Sequence, residues 1–498
     1  MDIFFKSCGS RWLLPISDYL GFPLEMVNFM ACQLFALLSA FWFRLYLTPR
    51  HSNPLVRHTV ATLLGIIFLI FCFGWSSTHF LATVLANYLI MTQANINHVH
   101  RYTMVMAMGY LTVCQVSRVV IFKYGILSTD FSGPLMIVTQ KITSLAFQLH
   151  DGMCKKAEEL TTEQKLLALN VRPSLLEYLS YNLNFLSVLV GPFNNYKDYI
   201  DFIEGTNISS RLRRQSSMRN GQNDNYKIQD PSPLNAVCKK LLVCSGCMLF
   251  FLIITRSLPI MYNVNPHFVS HAPFITRLTY SLFSMQAARP KFYFAWTLGD
   301  AINNAAGFGF SGMDENGKAS WNLISNLNII GIETATSYKT FIDNWNIQTG
   351  NWLKMVCYDR AQHHRLALTF ILSALWHGAY PGYYFSFITA ILITLVARAV
   401  RKSIRHHFLG SRRLKLGYDI LTWASTQLAI SYTFMPFLLL AVEPTMVYYR
   451  SMYFHMHIIS ILAMFVLYPK LKSKASSEAT KTSTQRLPVY CNNNDKTS

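Results

Sequence analysis

Of 498 residues, 52% are hydrophobic and only 14% charged, with a mean hydropathy of +0.24, whereas a soluble domain carries about 25% charged residues, so a water-soluble globular fold is excluded. The net charge of +20, from 44 Lys and Arg against 24 Asp and Glu, could suit a nucleic-acid binder. The basic residues, however, lie in loops between apolar runs, as they do in a membrane protein whose cytosolic loops are positive, and no nucleic-acid partner is expected.

The N-terminal MDIFFKSCGSRWLLPISDYL lacks the charged start, apolar centre and small-residue cleavage site of a signal peptide, so the first apolar run should be an uncleaved anchor. Apolar runs recur at 26–46, 59–75, 78–93, 103–122, 174–191, 241–256, 274–288, 366–379, 383–399, 418–441 and 452–468. Several reach the roughly 20 residues that cross a bilayer as helix, and the shorter ones suit re-entrant or intra-bundle positions. Backbone groups in hydrocarbon must be bonded within their own segment, and nothing alternates like barrel strands. The expected fold class is therefore all-α: a polytopic integral membrane protein of about ten or eleven transmembrane helices, with re-entrant segments around an internal reaction chamber.

RLRRQSSMR at 211–219, RKSIRHHFLGSRRLK at 401–415 and KLKSK at 470–474 mark the cytosolic face. The sequon at Asn207 adjoins the first of these and is expected to be cytosolic and unmodified. Residues 193–234 form the longest polar connection and read as a partly mobile cytosolic loop. One membrane-embedded domain is expected over 1–470, followed by a disordered polar cytosolic tail over 471–498. Cys244 and Cys247 have redox or metal spacing but sit within an apolar run with no second Cys or His pair nearby, so they read as small packing residues and no metal site is expected.

Between 289 and 362 the chain is neither a clean span nor a polar loop: aromatics alternate with Asn, Asp, Thr and Gly. Such backbone is tolerated at membrane depth only where protein or a water-filled cavity satisfies it, which makes this the region to search for chemistry. Gly307, Gly309 and Gly312 spell G-x-G-x-x-G, but the dinucleotide motif needs a preceding strand in a βαβ unit, so they read as permitting a tight turn.

SALWHGAYPGYYFSF, at 373–387, places His377 in an apolar run. Counting back by fours from it gives Ser373, Thr369 and Arg365, which share one helix face and form a polar stripe about 18 Å long. The stripe would line a cavity running inward from a charged mouth, KMVCYDRAQHHR. Ionisable groups inside a bilayer are costly and mark functional sites; the alternative is a packing histidine bonded to a neighbouring helix, with Ser and Thr bonded back to their own carbonyls. Asn346, in DNWNIQTGNWL, is the second candidate, a neutral donor and acceptor between Trp345 and Trp352; its alternative reading is a satisfied turn asparagine.

FIDNWNIQTGNWL followed by SALWHGAYPGYYFSF resembles the membrane-bound O-acyltransferase family, and more narrowly its lysophospholipid acyltransferases. GPFNNYKDY (191–199), NNAAGFGFSG (303–312) and the Y-x-x-x-Y-F-x-x-H pattern of Tyr449, Tyr453, Phe454 and His457 agree, and the similarity covers about 20–468. The subgroup it looks most like acylates lysophosphatidylethanolamine and lysophosphatidylserine, some members favouring oleoyl-CoA. One departure is Trp321-Asn322, where the resemblance leads one to expect Trp-Asp, which puts any role for an acid at 322 in doubt.

The resemblance implies acyl transfer from acyl-CoA, as co-substrate rather than bound cofactor, to a lysophospholipid hydroxyl in the endoplasmic reticulum membrane. It makes His377 the catalytic histidine and Asn346 its partner. The chemistry is consistent: an alcohol attacking a thioester needs a base of near-neutral pKa, and the oxyanion needs a donor, although Asn346 could instead orient substrate. Lys354, Arg360 and Arg365 are the expected contacts to the CoA phosphates. Two other readings stay open. A sterol, diacylglycerol or peptide could be the acceptor, or the polar stripe could belong to a transporter, which predicts paired broken helices in repeated halves.

Overall fold

A computed structural model describes residues 9–121, 131–218 and 231–467; the expected tail at 471–498 lies outside them. The described chain is built of helices, and its one strand pairing joins Gly312–Met313 to Ala319–Ser320. Five helical runs among the described residues are long and apolar enough to cross a bilayer: Leu24–Tyr46, Pro54–Gln93, Val99–Val120, Leu234–Val264 and Pro381–Phe408. Val442–Ser451 and His455–Leu467, bent by 69°, are long and apolar enough only when taken together, as a broken span or a re-entrant loop.

Not every apolar run of the sequence becomes a long helix of its own, for identifiable reasons. The apolar run at 174–191 is not a span: its helix, Leu175–Leu183, ends at Asn184, and Phe185, Leu186, Val188 and Leu189 turn into the protein core. Its hydrophobicity serves packing, not lipid. The runs at 59–75 and 78–93 become Pro54–Phe73 and Thr78–Gln93, which a 3₁₀ turn at Gly74–Ser77 joins into one helical stretch. The polar connection after 193 holds two helices, Tyr196–Glu204 and Asn207–Met218, separated by Gly205 in the left-handed region. They are tied together by Arg211 to Asp198 at 2.6 Å.

Composition hides the most central helix. Ser132–Cys154 is 23 residues long and was absent from the apolar runs, because Thr139, Gln140, Lys141, Thr143, Ser144 and Gln148 interrupt it. All six are buried. Each of the six bonds inside the protein through at least one polar atom: Thr143 Oγ1 donates to the Thr139 carbonyl at 2.7 Å. Lys141 Nζ donates to the Tyr181 carbonyl at 2.9 Å and to Ser187 Oγ. A helix surrounded by protein needs no lipid-facing side, so its hydropathy is low although most of its residues are buried.

Candidate active site

Three contacts dock the two motif segments onto this helix. Asn346 immediately precedes the short helix Ile347–Leu353, whose Thr349 Oγ1 accepts from Gln140 Nε2 at 2.9 Å and whose Trp352 Nε1 donates to Thr143 Oγ1 at 2.9 Å. His377 ends the helix Arg365–His377, and Trp376 Nε1 donates to the Met136 carbonyl at 3.0 Å. Residues 136, 140 and 143 follow the i, i+4, i+7 spacing of one helix face, which spans about 10 Å. The Trp352 and Trp376 rings meet at 5.8 Å, so both segments share one support.

The local sequence explains where each candidate residue sits. Gly378 at φ 139° stops the histidine helix, and Pro381 opens the next, Pro381–Ile404, at a position that needs no N–H. Thirteen residues rise about 20 Å against a hydrocarbon core of about 30 Å, so a helix starting at the membrane surface leaves its last residue at depth. There His377 lies among aromatic rings: Trp376 at 4.6 Å, Phe437 at 4.9 Å, Phe387 at 5.4 Å and Tyr383 at 5.7 Å between centroids. Its imidazole makes no hydrogen bond to a described residue, and the nitrogens are not sealed in.

Asn346 adopts the left-handed conformation, φ 49° and ψ 49°, which asparagine tolerates better than most residues. Its side-chain oxygen accepts from Asn326 Nδ2 at 3.0 Å. Two backbone bonds, Ile347 N–H to the Asn326 carbonyl at 2.8 Å and Asn328 N–H to the Asn344 carbonyl at 3.0 Å, hold the two loops side by side. Gln348 Nε2 staples them further by donating to the carbonyls of Leu323 and Ser325. Sequence reasoning missed Asn326; its only local signal was membership of an Asn-rich stretch. No hydrogen bond joins Asn346 directly to His377.

Two members of the stripe are bonded locally. Thr369 Oγ1 donates back to the Arg365 carbonyl at 2.7 Å, and Arg365 is exposed with Nε donating to the Ala361 carbonyl. The cavity next to the Asn346 loops, about 280 Å³, is lined instead by residues such as Asn195, Arg211, Arg214, Gln348, Asn351 and Lys354. Of the three basic residues expected at the mouth, only Lys354 lines it. Arg360 forms a two-pronged pair with Asp151, at 2.9 and 2.6 Å, and donates from Nε to the Met355 carbonyl at 2.7 Å. With the Phe147 ring 4.5 Å beneath it, its guanidinium is occupied in holding the mouth to the central helix. Lys354 pairs with Glu163 at 2.6 Å on the exposed rim, and that bond raises its ammonium pKa above the usual value. Arg211 and Arg214, which the sequence marked only as topological signals, are the cavity's other cations. Asn322 accepts from Ser311 Oγ and Ser320 Oγ, a local turn role.

A helical membrane protein that presents an unbonded imidazole and a half-bonded carboxamide from two segments docked on one buried helix has the parts of an intramembrane transferase. Residues 116–439 match the membrane-bound O-acyltransferase family. The chain is 56% identical to membrane-bound glycerophospholipid O-acyltransferase 1 of Homo sapiens, over 99% of this chain and 97% of the relative. It is 54% identical to membrane-bound glycerophospholipid O-acyltransferase 2 of Gallus gallus over 95% and 91%. To lysophospholipid acyltransferase 6 of Drosophila melanogaster it is 37% identical over 92% of this chain and 63% of the relative. The chain belongs to the membrane-bound O-acyltransferase family and is an acyltransferase.

Proposed function

We propose that the protein transfers a fatty acyl group from acyl-CoA to the free hydroxyl of a lysophospholipid, in the endoplasmic reticulum membrane. Lysophosphatidylethanolamine and lysophosphatidylserine are the leading acceptors and oleoyl the leading acyl group. The observation that carries the reading is the docking of the Asn346 and His377 segments on one buried helix, through Trp352 to Thr143 and Trp376 to Met136. The relatives' names, glycerophospholipid O-acyltransferase and lysophospholipid acyltransferase, support the acceptor class.

In this reading the acceptor oxygen attacks the thioester carbonyl carbon as His377 takes the hydroxyl proton. Asn346 donates to the oxyanion of the tetrahedral intermediate. The carbon–sulfur bond then breaks, and the imidazolium returns its proton to the departing thiolate. No serine or cysteine nucleophile is needed if both substrates are held together. The rings around His377 keep water from competing for the thioester.

Lys354, with Arg211 and Arg214, would meet the CoA phosphates. An exposed pair such as Lys354 with Glu163 is worth about 0–1 kcal/mol, so a phosphate can displace its carboxylate. The Arg360 fork is buried and does not line the cavity, and breaking such a pair costs about 3–5 kcal/mol, so Arg360 is left out of the proposed contact set, whereas Arg211 and Arg214, which line the cavity, would meet phosphate without releasing Asp198. Incubating membranes that hold the protein with labelled oleoyl-CoA and a panel of lysolipids, then identifying products by mass, tests the assignment. Product only from diacylglycerol or a sterol would refute the acceptor class.

A further inference from the structure

Asn326 and Asn346 form a chain of amides whose orientation is dictated by a backbone group. The Gln348 N–H can only donate, and it lies 3.0 Å from the Asn326 side chain, so the atom it meets is the carboxamide oxygen. The other end of Asn326 is therefore its NH2, which can only donate, and it lies 3.0 Å from the Asn346 side chain. The Asn346 atom facing it must be the oxygen. Rotating the Asn346 amide by half a turn would set NH2 against NH2. What remains is the Asn346 NH2, which has no acceptor among the described residues and is not sealed in.

Asn326 is itself held firmly. It is buried, its carbonyl accepts from Ile347 N–H at 2.8 Å, and Ser325 beside it donates to Asp300 Oδ2. Asp300 in turn receives Lys240 Nζ at 2.7 Å. A donor fixed before charge develops needs no reorganisation when the oxyanion forms, and this is what makes such donors effective.

We infer that Asn326 is a positioning residue that engages the Asn346 oxygen and so holds Asn346 with its NH2 outward, as a hydrogen-bond donor to the reacting carbonyl rather than as an acceptor that orients the histidine. The inference rests on the acyl-transfer reading given above and specifies the atom that acts within it.

Substitution by aspartate separates the two roles. Asn346→Asp keeps the oxygen that Asn326 grips but replaces the outward NH2 with an anionic acceptor. With the purified full-length protein, kcat and KM for oleoyl-CoA and for the lysolipid should be measured for Asn346→Ala, Asn346→Asp and Asn326→Asp. A lost oxyanion donor costs about 10²- to 10³-fold, so Asn346→Asp should fall in kcat about as far as Asn346→Ala, with both KM values within about twofold of wild type. Asn326→Asp turns the Asn346 amide around and should lower kcat at least about tenfold, with no further loss when added to Asn346→Ala. Should Asn326→Asp fail to fold, Asn346→Asp decides alone, because it leaves every bond of Asn326 in place. If Asn346→Asp stays within about threefold of wild type while Asn346→Ala is inactive, the carboxamide acts as an acceptor and the inference falls, with the reaction intact. Near-normal activity of Asn346→Ala overturns both.

Discussion

Arg360→Ala should damage the fold and leave CoA recognition alone. The guanidinium makes two charge-assisted bonds to Asp151, whose side chain is only 3% exposed, while Arg360 itself is 16% exposed. Removing one partner of a buried pair costs about 3–5 kcal/mol, because the remaining charge is stranded. Here the lower end applies. Lys155 Nζ lies 3.9 Å from Asp151 Oδ1 and can take over part of the compensation. A loss of about 3 kcal/mol is then expected, a large share of the 5–15 kcal/mol typical of folded proteins. The assay is thermal unfolding in detergent, followed by size-exclusion, alongside KM for acyl-CoA on the surviving monodisperse fraction. Arg360→Ala should melt well below wild type with KM unchanged. Arg360→Met combined with Asp151→Leu should recover much of the loss, since neither charge is then left buried. A variant that melts like wild type but has a raised KM for acyl-CoA would refute this reasoning and restore Arg360 as a phosphate contact.

The mouth cations should behave in the opposite way: Lys354→Ala and Arg211→Ala are expected to raise KM for acyl-CoA more than they lower kcat, with little change in the lysolipid KM, and the effect should shrink in high salt. His377→Ala should lose about 10²- to 10⁴-fold in acyl transfer per folded molecule with near-normal yield, and activity within about tenfold of wild type would remove its role as base. Thr143→Val leaves the Trp352 indole N–H without its acceptor, which should cost about 1–3 kcal/mol in unfolding measurements, and because Trp352 supports the Asn346 loop, kcat should fall with it.

His377 and Asn346 stand out as candidates in the sequence because local chemistry marks them. An ionisable group in an apolar helix and a carboxamide between tryptophans are visible without knowing their neighbours. The helix stop at Gly378 and the restart at Pro381 follow from backbone rules that act within a few residues. The role of Arg360 was not legible. In sequence it is one cation in a basic cluster, and only the fold brings it to Asp151, 209 residues earlier. Lys354, six residues before Arg360, stays on the rim, paired with the exposed Glu163.

Composition and periodicity determined by themselves that the chain is a helical membrane protein, because a bilayer demands internally bonded backbone and apolar surface whatever the tertiary arrangement. They could not separate apolar residues that face lipid from those that face protein, which is why 174–191 resembled a span and Ser132–Cys154 did not. Tertiary structure decided which helix lies at the centre, since burial by other helices lifts the requirement for hydrophobicity and lets Gln140 and Thr143 bond to Thr349 and Trp352. It also decided which end of the Asn346 amide is open, through a backbone N–H at Gln348 and a side chain at Asn326 that lie 22 residues apart. Hydrogen-bond direction is a property of the assembled pair, and no single residue carries it.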